Sequence, residues 1–275
     1  MGLFNGLFRR PKPEPAAPGG GAPDSGDLSL RVGNLQGIGG RERQEDSFAI
    51  VNAADVAEQK RRGLFAVVAD GMGGMLDGRQ ASEVAVAGLV QIFHDLDDDG
   101  DIPAQLREGV TAVSDGVFQH FGGRSGTTVV AARVRQGRLH WLSVGDSAIF
   151  LMRNGGVFQL NREHTCLNDL YLQELERETI DKQRAETDEE ARALTSFVGR
   201  DCLEQIEVSL RPLLLEKGDV ILLCSDGVSG VLTGPELMEA MSLPPDEGCK
   251  LLETLVLEKQ VLEQDNYTGV MLSLQ

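Results

Sequence analysis

The feature that most constrains this chain is an uninterrupted apolar run that ends on a carboxylate. Leu64–Ala69 is apolar throughout, and Asp70 follows it directly. A continuous apolar run of this length is typical of a buried strand. Asp70 must then lie at the rim of a core, where an isolated charge is unfavourable without a partner. Gly71, Gly73 and Gly74 come next, and they permit a tight turn or a close approach to the backbone.

After this glycine loop, the apolar residues over 79–96 follow a helical period. Strand, acid, glycine loop and helix in this order are compatible with a metal or phosphate site. An Asp-Gly pair at a strand end is also a common turn. This stretch alone therefore leaves both interpretations open.

Four further acids have the same local character, because each lies beside Gly or Asn or at the edge of an apolar run. They are Asp46, Asp146, Asp226 and Asp265. Hard divalent cations prefer carboxylate, carbonyl and water oxygens, so strand-end acids from distant parts of a chain could build one metal site. Each acid alone is better explained as an ordinary turn or cap residue, and sequence periodicity cannot bring the five together.

The order of the predicted elements favours a sandwich. Strand-like segments come in consecutive groups, as in residues 127–160, and a further strand is predicted over 206–215. The helical segments come in pairs, at 79–96 with 102–121 and at 235–242 with 246–260. Grouped strands and paired helices favour antiparallel sheets covered by helices over a doubly wound parallel sheet.

Two charged segments fall outside this pattern. Residues 165–195 are polar and lack a strong apolar stripe, which predicts a mobile, flap-like insertion with helices over 167–182 and 188–196. The run from Asp95 to Asp101 begins like an EF-hand loop, but its twelfth position is Leu106 instead of Glu. We interpret that run as an acidic turn between two helices.

The first 26 residues differ from the rest in composition. They are rich in Pro and Gly, which predicts a disordered tail before a folded domain over residues 27–275. Residues 1–10 carry two Leu-Phe pairs and end in two arginines. They could be a docking peptide for a partner or a membrane surface, or only an irregular start to a linker.

The overall charge and the cysteines limit the function classes. The net charge of −17 argues against nucleic-acid binding, which needs a basic surface. The four cysteines are far apart and form no Cys-x-x-Cys pair, which favours a reducing compartment. No run approaches the roughly 18 consecutive apolar residues of a membrane span, and the N-terminus lacks the pattern of a signal peptide. We therefore expect a cytoplasmic protein.

Six short motifs occur in one order along the chain. They are Arg-x-x-Gln-Glu-Asp at 41–46, Asp-Gly-Met-Gly-Gly at 70–74, Ser-Gly-Thr-Thr at 125–128, Val-Gly-Asp-Ser at 144–147, Ser-Asp-Gly at 225–227 and Asp-Asn at 265–266. This ordered set resembles the metal-dependent protein phosphatase family (PPM, type 2C), particularly its bacterial branch. The resemblance implies an α+β fold, a four-layer αββα sandwich in which two antiparallel sheets are flanked by helix pairs.

The resemblance also implies roles for individual residues. Asp70 would bridge two Mg²⁺ or Mn²⁺ ions, with the Gly71 carbonyl as a further ligand. Arg41 would grip the substrate phosphate, a task that suits its planar and permanently charged fork. The remaining metal ligands would be Asp226 and Asp265, with Asp146 and Asp226 at a third ion as in bacterial relatives, and Glu45 and Asp46 would hold metal-bound waters.

The implied activity is hydrolysis of phosphoserine and phosphothreonine in proteins by a water molecule activated between two metals. Arg41, Asp70 and Asp226 are the expected catalytic residues, and no protein nucleophile is required. Met72 occupies the position of a histidine that many eukaryotic relatives have as a proposed general acid. Its thioether cannot donate a proton, so we expect a metal-bound water, held by Asp146, to protonate the leaving group. His164 matches a common family position, where we expect a structural role.

Other functions remain open at this point. The same fold could be a catalytically silent module that binds phosphoproteins or a kinase, although every expected metal-ligand position is filled here. A serine/threonine kinase that phosphorylates the same substrates is an expected partner of an active enzyme. If residues 1–10 dock to a partner, that contact would recruit the enzyme without altering its chemistry.

Overall fold

A computed structural model describes residues 29–72, 77–179 and 181–275. The predicted tail over 1–26, its docking peptide over 1–10, and Gly73 and Gly74 of the glycine loop lie outside the described residues. Within the described ranges, none of the helices is long and apolar enough to cross a membrane.

The elements follow one another in the order expected for grouped strands and paired helices. The strands are β1 (Leu30–Gly37), β2 (Ser47–Val51), β3 (Leu64–Ala69), β4 (Gly71–Met72), β5 (Gly126–Thr127), β6 (Val129–Arg135), β7 (Arg138–Val144), β8 (Ala148–Arg153), β9 (Gly156–Gln159), β10 (Glu207–Val208), β11 (Leu213–Leu214), β12 (Val220–Cys224) and β13 (Tyr267–Leu274). The helices are α1 (Val56–Arg62), α2 (Asp77–Asp95), α3 (Ile102–Phe121), α4 (Cys166–Glu176), α5 (Lys182–Glu186), α6 (Asp226–Ser229), α7 (Gly234–Met241) and α8 (Pro245–Glu258).

The strands form two large antiparallel sheets. The first has the order β1-β13-β12-β8-β9, and the second has the order β10-β7-β6-β3-β2 with β11 also on β7. Strands β4 and β5 form a separate short ladder. In the first sheet, β1 pairs with β13 from Leu30 opposite Leu274 to Gly37 opposite Tyr267. The first strand of the domain is therefore held by the last.

Three hydrophobic layers separate the sheets and helices. Helices α2 and α3 cover the second sheet, where Phe65 of β3 stacks on Phe93 of α2 with ring centroids 5.0 Å apart. Helices α7 and α8 cover the first sheet. The third layer lies between the sheets and includes Leu64 and Val68 of β3 with Ile221 of β12. The predicted four-layer αββα sandwich is confirmed.

The apolar run of β3 is explained by this arrangement. Its side chains alternate between the layer under α2 and the layer between the sheets, and all six residues are buried. A strand buried on both faces needs apolar residues at every position. Strand β12 has the same character from Val220 to Cys224.

Three of the local predictions differ from the structure, and helix α1 was not predicted. Residues 188–196 are not helical, because backbone hydrogen bonds close the base of the insertion instead, including one from Cys166 N–H to the Ala193 carbonyl. The helix predicted over 167–182 ends at Glu176, and Glu178 adopts a left-handed φ of 56°. The strand predicted over 206–215 is split into β10 and β11, and between them Pro212 has no N–H for a ladder.

Candidate active site

All five predicted acids lie at one rim of the sandwich, because each is beside the end of a strand at that rim. Asp46 precedes β2 and Asp70 follows β3, and the adjoining residues Ser47 and Ala69 are directly opposite each other in the ladder. Asp226 follows β12 and Asp146 lies between β7 and β8, with Cys224 paired to Ala148. Asp265 comes just before β13.

The backbone of Asp70 is fixed by the Ser-Gly-Thr-Thr motif. Its carbonyl accepts hydrogen bonds from the Thr127 hydroxyl and from Thr128 N–H, both at 2.8 Å, and its own N–H donates to the Thr128 hydroxyl. Ser125 donates from Oγ to the Met72 carbonyl at 2.8 Å. These contacts satisfy the backbone at the turn, so the Asp70 carboxyl group is free to face the rim.

The Gly71 position depends on the absence of a side chain. A Cβ atom there would lie 2.3 Å from the Gly78 carbonyl oxygen and 2.5 Å from the Glu45 carbonyl oxygen. A Cβ on Gly78, in the first turn of α2, would lie 3.0 Å from the Glu45 carboxyl group. The chain before β2, the loop after β3 and the start of α2 therefore meet closely, and this meeting places Glu45 beside Gly71.

Asp46 is almost fully buried at 4% exposure. Its Oδ2 accepts a hydrogen bond of 2.8 Å from the Ser225 hydroxyl, which in turn accepts one from Thr268 N–H. Its Oδ1 is buried and has no hydrogen-bond partner among the described residues. Burial, with added repulsion from Asp226 and Asp265, raises the pKa of Asp46 to about 6, although side-chain hydrogen bonds from Thr268 and Ser225 oppose this rise.

Asp70 and Asp226 contact each other through their carboxyl groups. Burial raises the pKa of both, and repulsion from Asp46 and Asp226 adds to the rise at Asp70. Asp226 Oδ1 is also buried without a hydrogen-bond partner among the described residues. The rim therefore holds more negative charge than its own hydrogen-bond donors can stabilise.

Asp146 lies on a tight turn whose shape depends on a glycine. Gly145 has a φ of 98°, a conformation that side chains disfavour, and a Cβ there would lie 2.7 Å from the Thr128 side chain. The turn is held by a 2.6 Å hydrogen bond between the hydroxyls of Thr128 and Ser147. Asn161 Nδ2 donates to the Ser147 carbonyl at 2.9 Å. Burial, then repulsion from Asp226, raises the pKa of Asp146 to about 7.

Asp265 has different surroundings. Its Oδ2 lies 2.6 Å from the Arg41 guanidinium, and both side chains are about half exposed. Its Oδ1 accepts a hydrogen bond of 2.8 Å from Asn266 N–H. The residue predicted to grip phosphate and a residue predicted to bind metal are thus paired with each other.

Asn266, next to Asp265, connects the start of β13 to the loop between β1 and β2. Its Nδ2 donates to the carbonyls of Ile38 and Arg43 at 2.8 and 3.0 Å, and its Oδ1 accepts from Glu45 N–H at 2.7 Å. One amide side chain therefore shapes the loop that carries Arg41 and Glu45.

The donor set of the rim fits a hard divalent cation. Carboxylate and carbonyl oxygens are the ligands that Mg²⁺ and Mn²⁺ prefer, and two buried carboxylate oxygens lack any other partner in the described part of the chain. Two unit like charges 4 Å apart repel by about 4 kcal/mol at an effective dielectric constant of 20. Within residues 29–72, 77–179 and 181–275, no three acid, His or Cys side chains already form a closed metal cage. The acids would have to draw together around an ion.

Of the residues that support the acids, Thr127, Thr128 and Asn266 were recognised in the sequence only as parts of motifs, and Asn161 was not recognised. Thr127, Thr128, Asn161 and Asn266 act through hydrogen bonds to backbone groups of distant loops. Such contacts have no periodicity. The available signal was a small polar residue beside an acid or a glycine, which is also typical of ordinary turns.

Comparison with known proteins agrees with this geometry. The family model described as protein phosphatase 2C matches residues 40–254. The chain belongs to the protein phosphatase 2C family. The resemblance inferred from the six motifs is thereby confirmed.

Individual members of the family are moderately similar to this chain. The serine/threonine protein phosphatase PstP of Mycobacterium tuberculosis is 31% identical over 195 residues, which cover 64% of this chain and 34% of that protein. The match therefore spans about a third of that curated relative. A crystal structure of PstP/Ppp from the same organism has a TM-score of 0.73 at 25% identity, covering 90% of this chain and 98% of that one.

A further solved structure is relevant to the metal. It contains the catalytic domain of PstP in complex with two manganese ions, and it has a TM-score of 0.68 at 25% identity. The alignment covers 90% of this chain and 99% of that one. Metal dependence is thus a property of the protein phosphatase 2C family. The carboxylate and carbonyl oxygens at the rim of this domain are consistent with it.

Proposed function

We propose that this protein is a metal-dependent serine/threonine phosphoprotein phosphatase. The observation that supports this best is the collection of five carboxylates at one rim, two of which have a buried oxygen with no hydrogen-bond partner in the described ranges. A family member that kept only the fold would have no reason to retain so much unfavourable charge. The alternative, a catalytically silent module that binds phosphoproteins or a kinase, is not favoured.

The proposed ligands are the residues that border this rim. Asp70 would hold both of two Mg²⁺ or Mn²⁺ ions, and the Gly71 carbonyl would be a ligand of one of them. When bound, the ions would lower the pKa of a water molecule and polarise the phosphoryl oxygens. Asp226 and Asp265 would complete the direct ligands, Asp146 with Asp226 would hold a third ion, and Glu45 and Asp46 would orient water.

Arg41 is the proposed contact for the substrate phosphate. Its side chain is about half exposed at the rim, and its guanidinium binds the Asp265 carboxylate there. A phosphate would present a similar set of oxygens to the same planar fork. For this exchange Arg41 has to leave Asp265, which would then be available to an ion.

The substrates, a partner kinase and the cellular compartment are also part of the proposal. The substrates would be proteins that carry phosphoserine or phosphothreonine, with a serine/threonine kinase acting on the same sites. All four cysteines lie in the described ranges and are unpaired, which supports the proposal of a reducing compartment such as the cytoplasm. Residues 165–195 as a flap, and residues 1–10 as a docking peptide within a tail over 1–26, remain predictions.

The deciding experiment is hydrolysis of p-nitrophenyl phosphate and of a phosphothreonine peptide at increasing Mn²⁺ concentration. Turnover should rise with Mn²⁺ and be lost with a chelator and in Asp226→Asn. Asp115→Asn is the matched control, because Asp115 is exposed on α3 far in sequence from the rim acids. A folded, metal-loaded protein that hydrolyses neither substrate would refute the proposal in favour of the binding module.

A further inference from the structure

His164 makes contacts that the proposed chemistry does not use. Its Nδ1 accepts a hydrogen bond of 3.1 Å from Gly145 N–H, and its own N–H donates to the Gly145 carbonyl at 2.9 Å. One residue therefore binds both backbone polar groups of Gly145. Because Nδ1 is an acceptor here, the ring must be neutral, with its proton on Nε2.

Gly145 is the residue on which the direction of Asp146 depends. Its φ of 98° turns the chain out of β7, and the Asp146 carboxyl group is held by its own backbone N–H. Because this contact is local, the carboxyl group takes its position from the backbone of its turn. Thr128 and Asn161 hold the far side of this turn through Ser147, and His164 holds the near side.

The backbone of His164 is itself anchored. Its carbonyl accepts a hydrogen bond of 2.9 Å from Thr195 N–H, and the next residue, Thr165, forms a bridge with Leu194. These contacts close the base of the segment over 165–195. The imidazole thus projects from a fixed point and is not a loosely held surface side chain.

We propose that His164 is a positioning residue, which acts through Gly145 to hold the Asp146 carboxyl group in the geometry that metal binding and turnover require. This inference rests on the phosphatase function proposed above. It predicts that the essential property of His164 is a hydrogen-bond acceptor at the Nδ1 position. A role in filling space would instead depend on the volume of the ring.

Three substitutions at this position separate the two roles. His164→Asn places Oδ1 where Nδ1 lies and keeps the acceptor, although it loses most of the ring volume. His164→Gln keeps more volume but moves its acceptor outward, and His164→Ala removes both. His140→Ala is the matched control, because His140 is another partly buried histidine, on β7, whose contact is with Ser209.

Amide hydrogen exchange of the metal-free protein tests the contact without any catalytic assay. In His164→Ala and His164→Gln, the Gly145 amide should exchange about tenfold faster, as expected for loss of one hydrogen bond. The amides of β13 should keep the wild-type rate, since they report global opening. His164→Asn and His140→Ala should match the wild type at Gly145.

Steady-state kinetics then test the consequence. At saturating Mn²⁺, His164→Ala and His164→Gln should lose about tenfold or more in kcat, with little change in KM for p-nitrophenyl phosphate, because a displaced catalytic group affects turnover. His164→Asn should recover most of the loss. Half-maximal activity should require more Mn²⁺ in the two impaired variants.

Several outcomes would overturn the inference. One is wild-type exchange at Gly145 together with wild-type kinetics in His164→Ala. Another is impairment of His164→Asn as severe as that of His164→Ala, with faster exchange throughout β13, since this would indicate a space-filling role. If the wild type were inactive towards every phosphate ester, the phosphatase proposal would fail, whereas the exchange rates would still test the contact.

Discussion

Carboxylates in two regions of this molecule show opposite electrostatic behaviour. At the rim, burial raises the pKa of Asp46 to about 6. At the start of α7, a hydrogen bond from Lys259, followed by two from Thr233, lowers the pKa of Glu236 to about 2. Glu236 has a cation and donors in place, whereas at Asp46 and Asp70 repulsion from neighbouring acids adds to the effect of burial. The difference supports the proposal that the rim binds cations, whereas the Glu236 side chain caps the start of α7.

The largest expected effect follows from removing the central rim carboxylate. Asp70→Asn should reduce Mn²⁺-dependent turnover by about 10³-fold or more, because it deletes several kcal/mol of metal-based stabilisation of the transition state. Initial rates with p-nitrophenyl phosphate at saturating Mn²⁺ would measure it. Asp115→Asn should retain wild-type turnover. Substantial activity in Asp70→Asn would show that the rim acids do not carry out the metal-dependent reaction.

Loss of the exposed guanidinium should have the next largest effect. Arg41→Ala should raise KM for p-nitrophenyl phosphate by about 10-fold or more, since a charge-assisted contact contributes about 1.5–3 kcal/mol. Its free energy of unfolding should change by less than about 1 kcal/mol, because the pair with Asp265 is half exposed. Saturation kinetics and urea denaturation would separate these effects. Arg61→Ala, which breaks an exposed pair with Glu58, is the control.

The pH dependence of stability should have opposite signs in the two regions. A folded-state pKa above the usual value means that folding favours the protonated form, so its stabilisation is complete below about pH 4 and is lost as pH rises through about 6. In chelator, the contribution of Asp46 to the free energy of unfolding should therefore fall by about 2–3 kcal/mol between pH 4 and pH 7. Urea denaturation of wild type and Asp46→Asn would measure it, and saturating Mn²⁺ should oppose the fall. Parallel curves for the two proteins would contradict the assignment.

The smallest expected effect lies at α7. The pKa of Glu236 is lowered, so its contribution should be complete above about pH 5 and lost as pH falls towards 2. Glu236→Gln should weaken this low-pH dependence without altering turnover. Thermal melts from pH 2 to pH 6 would test it. A stability loss in Glu236→Gln that is as large at pH 2 as at pH 6 would contradict this assignment.

The fold was predictable because burial leaves a strong pattern in the sequence. Strands β3 and β12 are buried on both faces and are therefore continuous apolar runs. Helix α3 shows regular periodicity and has the predicted limits, Ile102–Phe121. Helix α1 was missed because none of its residues is buried. It depends on the Asp55 cap, whose side chain accepts from Glu58 N–H.

The acids of the proposed site could be selected from the sequence, whereas their contacts could not. The acids could be selected one by one at strand ends, and the order of the motifs pointed to the family. The pair between Arg41 and Asp265, the contact of Asp70 with Asp226 and the role of Asn266 all join residues more than 150 positions apart. No local pattern encodes such contacts, because they arise only when β1 pairs with β13 and the two sheets pack.

The pairing of β1 with β13 has a consequence for biosynthesis. In its sheet β1 has β13 as its neighbour, and Asp265 and Asn266 directly precede β13 in the chain. A ribosome that has made residues 29–260 has therefore produced four of the five acids but neither the partner of β1 nor the amide that shapes the Arg41 loop. The nascent domain therefore cannot complete its rim until β13 has emerged from the ribosome.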